Sequence, residues 1–176
     1  LTGLQGTIYR RDFDAIDEYC LDIVKRCQMI NNENVQALRQ IPRPAVSLLI
    51  QQKILDANEA GVPFYVHIDD DLNWRGWRDA DMCQLLGVLL DNAHEAAMAS
   101  DAPYISLELH NLQHGMELVV RNTWGEKKEE AKPAVDSTPS RGLGLPSVRE
   151  LLKRYPHTTF SLYHRERYVE AHMILN

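Results

Sequence analysis

The chain has no excess of basic residues: 19 Lys and Arg stand against 25 Asp and Glu, a formal net charge of −6 over 176 residues. A nucleic-acid binder usually shows a basic surface, and an acidic chain fits an anionic membrane surface poorly. A nucleotide needs only a local positive field, so acidity does not exclude it. No apolar run approaches the length of a membrane span, about 20 residues, and no signal peptide is visible. Cysteine is scarce and odd in number, at Cys20, Cys27 and Cys83. With no CxxC pair, a zinc site is not expected, and the three read as small apolar residues in a reducing cytoplasm. The P-loop pattern with its lysine is missing, and so are the early strand and third glycine of a dinucleotide-binding fingerprint. There is no internal repeat. What is present is 44% hydrophobic and 25% charged residues, enough for one ordinary domain and a short appendage.

Residues 1–38 read as helical. A short helix from Leu1 to about Tyr9 breaks at Arg10–Asp12, and Asp12 suits the N-cap of the next one. There Phe13, Ile16, Cys20, Ile23 or Val24, Cys27 and Ile30 recur at three- and four-residue steps, with a charged opposite face. So narrow a stripe needs a cover, from the second domain or from another chain. A helical hairpin completed by a second subunit is the favoured expectation. The chain starts without methionine and inside a helix, so it reads as a piece of a longer protein.

Two prolines in Arg39–Pro44 break any helix. The following stretch, with Val46, Leu49, Ile50, Ile54 (or Leu55) and Ala57 as its apolar set, reads as a helix ended by Gly61. VPFYVHID reads as a strand and DLNWRGWRD as a loop. Asp79 is the expected cap of a long helix to about Ala99. YISLELHNL and MELVVRNTW alternate as a hairpin. Residues 126–141 hold eight charges in sixteen positions and no aromatic. Such a segment cannot bury enough apolar surface to order itself, so a loop or lid is expected. LPSVRELLKRYP reads as a helix stopped before Pro156, and the last stretch as a hairpin turning near Arg165–Arg167. Paired strands mixed with helices predict an α/β sandwich, with helices on one face of a mixed sheet.

Two segments carry chemistry. On the long helix, Met82, Leu85, Leu86, Leu89, Ala93, Ala96 and Ala97 form the core face, with Asn92 at its edge. An amide oxygen is a hard neutral ligand suited to magnesium, which takes few protein ligands and completes its octahedron with water and phosphate oxygens. The plainer alternative is a helix-edge asparagine bonded to a loop. Glu95, three residues on, either holds a magnesium-bound water or is solvated. His94 reads as surface or packing rather than catalytic. The second segment, RGLGLPS, offers Gly142 and Gly144, where the backbone turns tightly, before a helix starting near Pro146. Free amides at a helix start bind phosphate, and Arg141 and Arg149 can add charge. At the end of the second hairpin strand, Asn122 can accept from and donate to an adenine edge, or can be an ordinary polar strand end.

In this order the pieces resemble the GHKL (Bergerat-fold) ATP-binding superfamily. LLDNAHEAA resembles its N-box, with Asn92 at the magnesium-binding asparagine, and RGLGL resembles its glycine box. Asn122 falls where the family usually has an adenine-binding aspartate. Within the superfamily the chain is similar to quorum-sensing peptide-receptor histidine kinases of the Agr type. That likeness covers essentially all 176 residues and includes LTGLQGTI and the next helix, which resemble the end of a dimerisation hairpin. The resemblance implies an α+β, two-layer α/β sandwich over residues 41–176, preceded over 1–40 by a partial dimerisation hairpin. It implies ATP and Mg2+, an ATP site of Asn92, Glu95, Asn122, Arg141, Gly142, Leu143, Gly144 and Leu145, and Asn92 as metal ligand.

The implied activity moves the ATP γ-phosphate to a histidine and then to a response regulator. That histidine would precede Leu1, and none of the seven histidines present occupies its place. Implied partners are a second subunit, through the N-terminal helices, and a response regulator, in the cytoplasmic part of a membrane-anchored parent; no nucleic acid is expected. The departures are Asn122 for aspartate, Trp124 for the usual glycine, and Glu95 where many sensor kinases have a basic residue. The superfamily's hydrolases carry a glutamate four residues before the asparagine; here that position is Val88, which favours transfer to a side chain over hydrolysis. Two alternatives stand beside this. One is a degenerate GHKL nucleotide-binding or interaction module without kinase activity. The other is an anti-sigma-type serine kinase, which the N-terminal helices disfavour.

Overall fold

Pro44 occupies the first turn of a helix, where its fixed φ is an advantage and its missing N–H costs nothing. Around that start the computed structural model describes residues 32–74, 76–125 and 144–175. Residues 1–31 of the expected dimerisation hairpin, with Cys20 and Cys27, the charged segment 126–141 and Gly142–Leu143 lie outside them. The described elements are α1 (Asn32–Arg39), α2 (Pro44–Glu59), β1 (Phe64–Ile68), α3 (Asp79–Ala97), β2 (Ile105–Leu112), β3 (Gly115–Thr123), α4 (Gly144–Leu152), β4 (Thr159–His164) and β5 (Tyr168–Leu175). Among the described residues no helix is long and apolar enough to cross a membrane.

The strands form one mixed sheet in the order β1-β2-β3-β5-β4. β1 runs parallel to β2, and the other pairs are antiparallel. Side chains alternate across a strand, so Leu107, Leu109, Leu118, Val120, Ala171 and Met173 enter the core while Glu108, Arg121, Glu170 and His172 stand on the other face. From the helices, Val46, Ile50, Ile54 and Ala57 of α2 and Met82, Leu85, Leu86, Leu89, Leu90, Ala93 and Ala97 of α3 meet them. Each fully buried leucine or isoleucine contributes about 2 kcal/mol in apolar area alone. This is the expected two-layer arrangement. On the outer face Arg121 donates to Glu170 at 2.6 Å and pairs with Glu108, tying β2, β3 and β5 together.

Several local expectations change. α3 starts after Arg78, which makes no side-chain cap. The Asp79 carboxylate instead accepts from Arg43 at 2.5 Å, an ion pair that replaces the cap. α4 starts at Gly144, two residues before Pro146. The loop between β1 and α3, read as a loop from the sequence, is packed, with Leu72, Trp74 and Trp77 buried. Arg43 explains this. Its guanidinium donates to the Trp77 carbonyl at 2.7 Å and the Trp74 carbonyl at 2.6 Å, satisfying backbone that a buried loop would otherwise strand. Gly61, with φ of +73°, follows the C-cap Ala60 in the left-handed conformation that closes α2.

Candidate functional site: the cleft between α3 and β3–β5–β4

The cleft begins on α3. Leu89, Asn92, Ala93 and Ala96 recur at helical spacing along one side of it. The small alanines hold that side of α3 low, and exposed Asn92 stands at its rim. Lys53 of α2 pairs with the neighbouring Asp91 at 2.5 Å, anchoring this part of α3 from behind. The floor comes from the sheet. Val120 and Asn122 of β3, Val169 and Ala171 of β5, and Leu162 and His164 of β4 complete a cavity of about 180 Å³. Asn92 and Asn122, thirty residues apart in the chain, thus line one cleft with apolar walls.

Asn122 is buried, and its Nδ2 donates to the Thr123 carbonyl at 2.8 Å. Among the described residues that is the side chain's only hydrogen bond. Tying down the NH2 group leaves the amide oxygen to act as an acceptor, which is the capacity an aspartate would have offered. The strand end is itself fixed. Thr123 Oγ1 accepts from the Tyr104 amide at 2.9 Å, and the Trp124 indole donates to the Arg165 carbonyl at 3.0 Å. Trp124 therefore ties β3 to the β4–β5 turn. At Gly125 a Cβ would collide with the Ala99 carbonyl at the end of α3, so only glycine lets the backbones meet.

The other expected residues separate. Glu95 is exposed on α3 and does not line the cleft. His94 is half-buried, its Nε2 without a hydrogen-bond partner among the described residues. Val88 is half-buried and packs on the core. Gly144 and Leu145 form the first turn of α4, and Arg141, Gly142 and Leu143 lie outside the described residues. Leu162, His164, Val169 and Ala171 were not legible as site residues, because the pattern of a terminal hairpin does not say which strand it joins.

A second polar group lies at the opposite end of α3. Asp81 is buried, accepting from Arg78 at 2.7 Å, Tyr155 at 2.5 Å and Arg154 at 3.0 Å. The Arg78 and Tyr155 bonds hold its carboxyl below the usual 3.8. Burial pushes the Cys83 thiol up, which keeps it an inert apolar residue.

Comparison with known proteins adds the following. Residues 78–176 match the GHKL domain family. The fold is similar to the catalytic domain of the histidine kinase ThkA, at 18% identity and a TM-score of 0.55, covering 75% of this chain and 91% of that one. It is similar to the cytoplasmic segment of the histidine kinase QseC, at 16% identity and 0.54, covering 93% of each. It is also similar to full-length ShkA, solved in complex with AMPPNP, at 16% identity and 0.57, covering 75% of this chain and 29% of that one. No match to a curated protein was found.

Proposed function

The chain belongs to the GHKL domain family, and from that membership we propose that it is the ATP-binding catalytic domain of a two-component sensor histidine kinase of the Agr type. The observation that carries this reading is the meeting of Asn92 and Asn122 in one cleft. An adenine ring is flat and apolar on its faces, and its exocyclic amine is a donor. Leu89, Ala93, Val120 and Ala171 offer apolar walls, and the Asn122 oxygen offers the acceptor. ShkA, part of whose chain shares this fold, was solved in complex with AMPPNP.

The triphosphate then extends from the base past Asn92. An exposed carboxamide at the rim of the cleft fits magnesium, which binds few protein groups and keeps several waters. Magnesium, when bound there, neutralises charge on the phosphate oxygens as the γ-phosphoryl group transfers. The amides of the first turn of α4 offer phosphate contacts with Arg141, Gly142, Leu143, Gly144 and Leu145. Tyr155, three residues past the end of α4, is anchored at Asp81 in the first turn of α3, and α4 packs on α3. The far end of α4 thus lies beside the first turn of α3. Glu95, exposed three residues beyond Asn92, either holds a magnesium-bound water or is solvated. Val88 has no proton to move, which favours transfer to a protein side chain over hydrolysis. The acceptor histidine, the response regulator and pairing through residues 1–40 complete the reading.

The test is magnesium-dependent binding of a fluorescent ATP analogue to the 176-residue chain. Asn92→Ala and Asn122→Ala should each weaken it at least tenfold, about 1.4 kcal/mol. Undiminished binding by Asn92→Ala would mean the site is wrongly placed. A parent protein with its upstream histidine that binds ATP and takes up no label would favour the module without kinase activity.

A further inference from the structure

On the sheet face away from the nucleotide cleft, three side chains converge where β1 ends beside β2. The parallel register sets Ile68 opposite Leu109, so the flanking His67 and Asp69 share a face with Glu108 and His110. His67 Nε2 lies 3.2 Å from Asp69 Oδ1, and His110 Nδ1 lies 3.3 Å from the same oxygen. All three donor atoms fall within 4.8 Å of one another.

The carboxylate is held from behind. Asp69 Oδ2 accepts from the Asn111 amide at 2.9 Å, and the Asp69 amide donates to the Leu109 carbonyl at 2.9 Å. Oδ1 is thereby presented between two imidazoles. The far nitrogen of His110, Nε2, lies 3.4 Å from Glu108 Oε2. A carboxylate on the outer nitrogen of a histidine fixes the tautomer that leaves the inner nitrogen as a ligand, the usual support of a metal-bound histidine.

We propose that His67, Asp69 and His110 form a site for a divalent transition-metal cation, with zinc as occupant, through His67 Nε2, Asp69 Oδ1 and His110 Nδ1. Zinc bonds to such atoms at about 2.0–2.2 Å, which puts neighbouring ligands of a tetrahedron roughly 3.4 Å apart. Two of the three separations already have that value. The third closes by rotation of His67, whose side chain is 64% exposed. Three protein ligands leave a fourth position for water. Two imidazoles with one carboxylate suit zinc, copper or nickel, whereas magnesium prefers oxygen alone. The lack of CxxC pairs has no bearing, because no thiolate is involved. The inference is independent of the nucleotide reading, and the ion would clip the end of β1 to β2.

The experiment is calorimetric titration of the 176-residue chain with zinc chloride, paired with cobalt(II) substitution read by visible absorption. One equivalent of zinc should bind, with cobalt giving the intense bands of low coordination number. His67→Ala, an exposed position that leaves the fold intact, and His110→Ala should each remove both signals. Glu108→Gln should weaken zinc by roughly 10- to 100-fold. Asn92→Ala should bind zinc as the unaltered chain does, and magnesium chloride should not compete. No saturable zinc binding, or binding that survives His67→Ala, overturns the proposal.

Discussion

The Tyr155 ring lies flat on that of Trp77, centroids 3.8 Å apart and planes 7° from parallel. The contact joins the residue just past α4 to the loop before α3, and the Tyr155 hydroxyl continues to Asp81. Tyr155→Ala removes the ring, the stack and the hydroxyl together and should destabilise by about 2 kcal/mol. Tyr155→Phe keeps the stack and should cost clearly less. Urea denaturation of the two variants checks the order; equal losses would mean that the stack contributes nothing.

Asp81 gives the fold an acid sensitivity. Its carboxyl is held below the ordinary 3.8 by hydrogen bonds from Arg78, then Tyr155. A depressed native pKa contributes stability that is complete above the unfolded value and is lost as pH falls through the lower native one. Stability from this group should therefore hold from neutrality to about pH 4 and decline below it. Asp81→Asn should flatten that decline in melts between pH 6 and 3. It should not abolish it, because Asp69 is lowered as well, first by the Asn111 amide. Identical pH profiles for variant and parent would refute the assignment.

Asn34 is buried on α1, donating to the Phe64 carbonyl at 2.8 Å and accepting from the Val66 amide at 3.0 Å. Asn34→Ala leaves two backbone groups of β1 without those bonds and should cost about 1–3 kcal/mol. Faster exchange of the Val66 amide hydrogen is the direct readout. Unchanged protection there would show that the bond carries no load.

Gly125 is confined by the Ala99 carbonyl. Gly125→Ala must displace either the end of β3 or the end of α3, at about 1–3 kcal/mol. Asn122 lies three residues away, so nucleotide affinity should fall alongside thermal stability. Normal affinity in a destabilised variant would separate the two.

The sheet, the long helix and Asn92 were legible because each leaves a periodic trace. An amide at the edge of the Leu89–Ala97 stripe breaks a pattern that packing alone would keep. Asn122 was legible as a polar residue closing an apolar strand. Asp81 was not. An acidic residue in a first helical turn reads as a solvated complement to the helix dipole, and its partners Arg154 and Tyr155 are more than seventy residues away. Trp74 and Trp77 were hidden for a similar reason, since a loop has no period and their burial depends on Arg43. Asp79 looked like a cap until Arg43 supplied a distant partner. The grouping of His67 and Asp69 with His110 depends on strand register across forty residues, which local pattern does not encode.

β1 borders the sheet, and a bare border strand is a template for pairing with foreign chains. The Phe64 carbonyl and Val66 amide point off that border, and α1 occupies both through one carboxamide. The short helix thus covers this stretch of the border. Removing residues before Val35 would leave a domain whose solubility, rather than its chemistry, fails first.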